Sequence, residues 1–248
     1  MGIALRWPIF WLTLRQFRAG KAAWATIGFA ALPILLAVLF RASDRTDAPL
    51  SFLSGIFLNL VAPTILPLGT LILATTALGS EIEDRTLVYL TLKPLARLRI
   101  VLAKYLAALL GGGAVFAIGA WLTWLAAGVG QDEPLGWRSL LALLVAVVAG
   151  VAGYGALFLL ISMIAPRALL IGIVYIIIWE TTLARAIPNM RFLSVRYYVT
   201  SLYARLLDDP ITSTATTARI SVAAIVILAL AILSLALSTY RLSRMDLD

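Results

Sequence analysis

The sequence contains no cysteine and no histidine, and these two absences exclude several kinds of chemistry. Without cysteine no disulfide framework can form, so the composition does not indicate a redox compartment. Zinc sites of the HExxH type and serine–histidine or cysteine–histidine nucleophile pairs each need one of the missing side chains. The sequence therefore predicts no catalytic residue and no metal site.

The chain also lacks the GxxxxGK[S/T] loop that binds nucleotide phosphates in many ATPases. A glycine-rich stretch, Gly111-Gly112-Gly113, lies inside an apolar run, and no lysine follows it. We therefore expect the chain to hold no cofactor of its own and not to bind ATP through such a loop.

Charged residues are scarce, at 13% of the chain against 62% hydrophobic residues, and the mean hydropathy is +1.00. Six apolar runs reach the ~18 residues that mark a membrane-spanning helix. They lie at about residues 23–40, 56–79, 100–128, 139–163, 168–187 and 219–240. The sequence predicts an all-α polytopic membrane protein with six transmembrane helices, organised as one transmembrane domain over residues 1–248.

Residues 1–22 alternate basic side chains with large apolar ones. The apolar residues recur at helical spacing and are Trp7, Phe10, Trp11, Leu14 and Phe17. This pattern is typical of a helix that lies in the membrane interface with its aromatic rings at headgroup level. The alternative is an N-terminal extension of the first span.

The formal net charge is +8, and basic residues at membrane edges explain it without nucleic acid as a partner. Such residues contact lipid headgroups and set the topology. Six spans place both termini on one side, and that side receives twelve of the twenty basic residues. We therefore expect both termini and residues 81–93 to be cytoplasmic, with 129–138 and 188–215 outside.

A compact acidic turn follows the second apolar run. Ser80-Glu81-Ile82-Glu83 matches a capping box, which predicts a helix start. Pro94 disfavours helix at the residue before it, so the helix would be about 18 Å long, too short to cross a bilayer. A capped helix at the membrane surface would by itself account for the acids.

The longer stretch GSEIEDRTLVYLTLKPLARLRIVLAKYL, residues 79–106, resembles the first cytoplasmic loop of ABC-2 type permeases, the membrane subunits of a class of ABC exporters. The matching positions are Glu81, Glu83, Thr86, Leu87, Leu90, Pro94, Arg97 and Lys104. Arg85 departs from the pattern, because glycine is usual at that position.

The resemblance implies that this loop carries a coupling helix that docks on a separate ATPase subunit. The ATPase-coupling residues would be Glu81, Glu83, Asp84, Arg85, Thr86, Leu87, Leu90, Pro94 and Arg97. A dimer of ATPases would bind ATP and Mg. A second permease copy, identical or paralogous, would complete an exporter in the cytoplasmic (inner) membrane of a prokaryote, with periplasmic or other accessory subunits as further candidate partners.

Three polar residues within the spans are candidates for lining a substrate path, namely Asn59, Thr70 and Glu180. Acids inside membrane helices usually face protein or a water-filled cavity. The alternative for Glu180 is a structural acid near the outer interface, paired with Arg185. Pro63 and Pro67 should kink the second span and free backbone carbonyls.

The segment 188–210 carries an amphipathic stripe before the last span. Its members are Phe192, Val195, Val199, Leu202 and Leu206. We expect an extracytoplasmic helix there, either in the headgroup zone or closing the outer end of a path.

Two other function classes stay open beside the exporter permease. One is a membrane-embedded enzyme, which would need a cluster of acids, bases or metal ligands at one depth. The other is a non-transporting immunity or sensor subunit. The sequence does not identify a substrate.

Overall fold

The computed structural model describes residues 11, 13–15, 17, 20–42, 48–79, 97–130, 135–165, 167–184, 190–208 and 217–244. Its regular structure is helical throughout this part of the chain, which confirms the predicted class. Besides the helical residues between 11 and 17 and a 3-10 turn at Arg191–Leu193, the described ranges form seven helices. These are α1 (Lys21–Arg41), α2 (49–79), α3 (Arg97–Gly128), α4 (Trp137–Ile164), α5 (Ala168–Leu183), α6 (Val195–Leu207) and α7 (Ile220–Arg244).

Two helices contain wide π turns. In α2 they lie at Phe57–Ile65 and Thr75–Gly79, on either side of the α-helical Leu66–Ala74. In α5 the π turns occupy Tyr175–Leu183 and follow Ala168–Val174. Such turns often mark functional sites, because they break the regular i→i+4 hydrogen-bond ladder.

Within the described residues, five helices are long and apolar enough to cross a membrane: α1, α2, α3, α4 and α7. Large apolar side chains on α1 and α7 face outward; Trp24 is 74% exposed and Ile225 is 64% exposed. The remaining predicted span, the fifth in chain order at 168–187, is represented by α5. This helix is about 24 Å long, which is less than the ~30 Å hydrocarbon core.

Small residues on α4 allow close helix packing. A Cβ atom at Gly150 would lie 2.0 Å from the Leu66 side chain of α2, and one at Gly153 would lie 3.0 Å from Val195 of α6. The small-residue spacing on this helix therefore serves contacts with its neighbours inside the chain.

Helix α6 lies inside the bundle, which disfavours the lipid-surface alternative of the two that the sequence left open. Val195, Val199 and Leu202 of the predicted stripe are buried, and so is Tyr203, one turn after Val199. Tyr203 stacks on Phe57 of α2 with 4.4 Å between ring centroids. The apolar stripe thus faces protein, although Phe192, before the helix begins, is exposed.

Helices α5 and α6 pack one after the other along α4, from its C-terminal end to its N-terminal end. Tyr175 of α5 meets Phe158 of α4 edge to face, Val195 meets Gly153, and Val199 meets Gly150. Asp208, after α6, is 3.5 Å from Arg138 at the start of α4. The two short helices therefore run in the same direction, antiparallel to α4, with a break between Leu183 and Val195.

Candidate functional site

Glu180 lies at the break between α5 and α6 and is fully buried. Its Oε1 accepts hydrogen bonds from the Tyr175 hydroxyl at 3.0 Å and from the Val195 backbone N–H at 3.1 Å. Its Oε2 accepts from the Ser194 hydroxyl. The backbone N–H of Arg196 also interacts with the carboxylate. Both oxygens are thus used for contacts within the protein.

These donors place the Glu180 carboxylate at the N-terminus of α6. Ser194 is the N-cap, and its hydroxyl oxygen also accepts from the Tyr197 backbone N–H at 3.3 Å. A negative charge is favourable at a helix N-terminus, where backbone N–H groups have no partner within the helix. Glu180 therefore completes the cap of α6 from another helix, across the break in the span.

Arg196 connects the same site to α2. Its Nη2 donates to the Leu58 backbone carbonyl at 3.0 Å. Leu58 lies in the π turns, where a carbonyl pairs with the residue five positions later, and that residue is Pro63, which has no N–H. The arginine supplies the donor that the proline lacks.

The other two candidate path residues bond to their own helix. Asn59 is exposed, and its Nδ2 donates to the Gly55 carbonyl at 3.0 Å. Thr70 is buried, and its hydroxyl donates to the Leu66 carbonyl at 2.7 Å and the Pro67 carbonyl at 3.0 Å. Thr70 lies about 16 Å along the axis from Asn59, at another depth. A role for these residues in a substrate path stays a prediction.

A cleft of about 200 Å³ opens beside Glu180, between α5 and α6. Its lining residues are Glu180, Ala184, Arg191, Ser194, Arg196, Tyr197 and Thr200. Sequence reasoning did not assign Ser194 or Arg196 to this site. Ser194 precedes the buried Val195, and serine before an apolar run is an N-cap signal that could have located the start of α6.

At the opposite end of the bundle, two cations of α3 bind the C-terminal ends of neighbouring helices. Lys104 is fully buried, and its Nζ donates to the Ala77 carbonyl at the end of α2, at 2.5 Å. Arg97 donates from Nη1 to the Leu242 carbonyl in the last turn of α7, at 2.8 Å. Cations are favourable at these positions, because the last carbonyls of a helix have no partner within it.

The other predicted coupling residues lie outside the described residues, as does Arg185, the alternative partner of Glu180. They are Glu81, Glu83, Asp84, Arg85, Thr86, Leu87, Leu90 and Pro94.

A comparison with curated proteins finds no significant match. The sequence profile of a family described as "ABC-2 family transporter protein" matches residues 14–178, about two thirds of the chain. This match extends well beyond the loop that carries the resemblance and covers α1 to α4 and part of α5. It agrees with the long apolar helices of a multi-pass membrane protein. The chain therefore belongs to the ABC-2 family of transporter proteins and is a membrane permease.

Proposed function

We propose that the chain is the permease subunit of an ATP-driven exporter, with a separate ATPase subunit docked on the 80–94 loop. The working unit would contain two permease copies and two ATPases, in a prokaryotic cytoplasmic membrane with both permease termini on the cytoplasmic side. ABC-2 membrane proteins generally act with an ABC ATPase, which supports this partner.

The observation that carries the proposal is the anchoring of both ends of the 80–96 segment. Lys104 ties the beginning of α3 to the end of α2, and Arg97 ties the first residue of α3 to the end of α7. A displacement of this segment by a partner would therefore act on three membrane-spanning helices at once. That arrangement suits a loop that transmits motion from an ATPase.

An enzyme active site is less compatible with this geometry. Among the described residues, the buried acid that could serve as a base is Glu180, and its oxygens already accept three hydrogen bonds from protein donors. A general base needs a free lone pair within reach of a substrate proton. An immunity or sensor subunit with this fold would have the same contacts of Lys104 and Arg97. The experiment below distinguishes such a subunit from an exporter subunit.

The test compares Leu90→Asp with Ser80→Ala in the permease co-expressed with its candidate ATPase. If Leu90 is buried against the ATPase, the substitution loses about 1.5–3 kcal/mol of burial and adds an unpaired charge to the contact. Leu90→Asp should release the ATPase, or leave ATP hydrolysis without transport, while the permease still inserts. Ser80→Ala should be milder, at about 1 kcal/mol for a lost helix cap.

Co-purification and ATP-driven transport are measured for both variants beside the wild type. Retention of the partner and of full transport by Leu90→Asp would show that the loop does not dock as proposed. A wild-type complex that binds the ATPase but drives no transport of any screened substrate would instead favour a sensor or immunity subunit.

A further inference from the structure

We propose that the cleft between α5 and α6 binds the oxyanion group of an amphipathic molecule, with Arg191 and Arg196 as the cationic contacts. The chemistry could be supplied by the phosphate of a membrane lipid or by the anionic group of a transported amphiphile. Binding at this cleft does not depend on the proposed export function, and its test needs no ATPase.

The acid in the cleft does not make it a cation site. Both oxygens of Glu180 already accept hydrogen bonds, from Tyr175 and Val195 on one oxygen and from Ser194 on the other. A cation entering the cleft would have to displace these contacts, which also cap α6. Both carboxylate oxygens are thus engaged in hydrogen bonds within the protein, so the Glu180 carboxylate is a poor ligand for a cation.

The remaining charged groups of the cleft are donors. The Nε of Arg191 is buried and has no acceptor within the described ranges. Its guanidinium lies 5.1 Å from the ring of Phe192 and 5.7 Å from the ring of Tyr197, contacts that restrict its orientation. A buried donor without an acceptor is costly, and an oxyanion that receives it would remove that cost.

Arg196 adds a second guanidinium to the same wall. Its Nη2 is engaged with the Leu58 carbonyl, which fixes the side chain across the site. Two guanidinium groups against one capped carboxylate leave the cleft with a net positive charge. Guanidinium forks match the oxygens of phosphate and carboxylate groups, which sets the chemical class of the ligand.

The size and the edge of the cleft favour an amphipathic molecule over a small free ion. A volume of about 200 Å³ is several times the ~30 Å³ share of one water molecule, so a headgroup can enter. Phe192 and Leu193, next to Arg191 in the chain, are 47% and 67% exposed. They offer apolar surface beside the cationic wall, where an acyl chain could lie.

The experiment titrates the purified permease in maltoside micelles with dioctanoyl phosphatidic acid, with octanoate and with inorganic phosphate, following thermal unfolding and intrinsic fluorescence. We expect saturable binding of the phospholipid. Arg191→Gln should weaken it about tenfold, the loss of roughly one charge-assisted hydrogen bond. Arg191→Lys should recover only part of the affinity, because lysine keeps the charge but not the fork.

Arg219→Gln is the matched control, since Arg219 is exposed just before α7 and does not line the cleft. The Arg219→Gln variant should bind the phospholipid with the affinity of the wild type. Equal weakening in both variants, or unchanged affinity in Arg191→Gln, would overturn the site. If inorganic phosphate binds as tightly as the phospholipid, the ligand is not amphipathic and the proposal is wrong on that point. If octanoate binds as tightly as the phospholipid, the site accepts a carboxylate as well as a phosphate, which supports the proposed oxyanion class.

Discussion

Tyr175 and Tyr154 lie beside the same carboxylate but differ in their hydrogen bonding. The Tyr175 hydroxyl donates to Glu180 at 3.0 Å. The Tyr154 hydroxyl is fully buried near Glu180 and has no hydrogen-bond geometry to any group in the described part of the chain. The two residues therefore form a matched pair for testing how Glu180 is held.

Tyr175→Phe should lower the free energy of unfolding by about 1–3 kcal/mol, because it leaves a buried carboxylate with one donor fewer. Tyr154→Phe should lower it by less, because the Tyr154 hydroxyl lies near the Glu180 carboxylate without forming a regular hydrogen bond to it. Thermal unfolding in detergent measures both. A larger loss for Tyr154→Phe would show that its hydroxyl is the main support of Glu180.

Glu180→Gln separates the structural role of this residue from a role in a substrate path. Glutamine keeps one acceptor oxygen but presents an amide N–H₂ in place of the other, so it caps α6 less well and loses the favourable charge at the helix N-terminus. We expect a stability loss of about 1–2 kcal/mol, read from thermal unfolding. Unchanged stability together with altered transport would assign Glu180 to the path instead.

At the scale of helices, two glycines on α3 have different surroundings. A Cβ at Gly119 would lie 3.0 Å from the Ala30 backbone carbonyl oxygen of α1, whereas a Cβ at Gly113 would meet nothing within 4 Å. Backbone cannot move aside as a flexible side chain can, so Gly119 sets the distance between α1 and α3.

Gly119→Ala should therefore force α1 away from α3 and destabilise the protein by about 1–3 kcal/mol. Gly113→Ala should be neutral or stabilising by up to about 1 kcal/mol, because alanine is the better helix former and has room. Unfolding midpoints of the two variants check this. Equal midpoints would contradict close contact between α1 and α3.

The sequence predicted the helices better than it predicted their surroundings. The spacing of Val195, Val199 and Leu202 correctly indicated a helix, but an apolar stripe cannot distinguish lipid from protein as its neighbour. The Leu58 carbonyl, five residues before Pro63, accepts a hydrogen bond from Arg196, which lies 138 residues away in the chain. Such pairs depend on tertiary packing, which a single sequence does not encode locally.

The packing of α5 and α6 one after the other along α4 could not be predicted, for a related reason. The apolar run continues through Ile176, Ile177 and Ile178, so hydropathy indicates an unbroken span. At the break, the Glu180 carboxylate accepts a hydrogen bond from Ser194, which lies 14 positions later in the chain, and hydropathy does not report such a contact. The amphipathic segment and the fifth span were therefore predicted as separate elements, although in the structure they pack consecutively along α4.

For the whole molecule, four contacts indicate which connections share a side. Lys104 with Ala77 and Arg97 with Leu242 lie at one end of the bundle. Arg138 with Asp208, and Arg41 beside Gly130, lie at the other. Leu242 of α7 contacts Arg97 at the start of α3, so α7 ends at the same side at which α3 begins. This holds if α5 and α6 together cross the membrane once. The excess of basic residues at that end predicts that it is cytoplasmic.

Single cysteines test this topology directly, because the chain has none of its own. Gln131→Cys follows α3 and Ser243→Cys lies in the last turn of α7, so the two sites belong to opposite ends. A membrane-impermeant maleimide should label Gln131→Cys in intact cells and Ser243→Cys only after the cells are opened. The reverse pattern would invert the protein in the membrane. Labelling of both sites in intact cells would show that α5 and α6 do not together form a crossing.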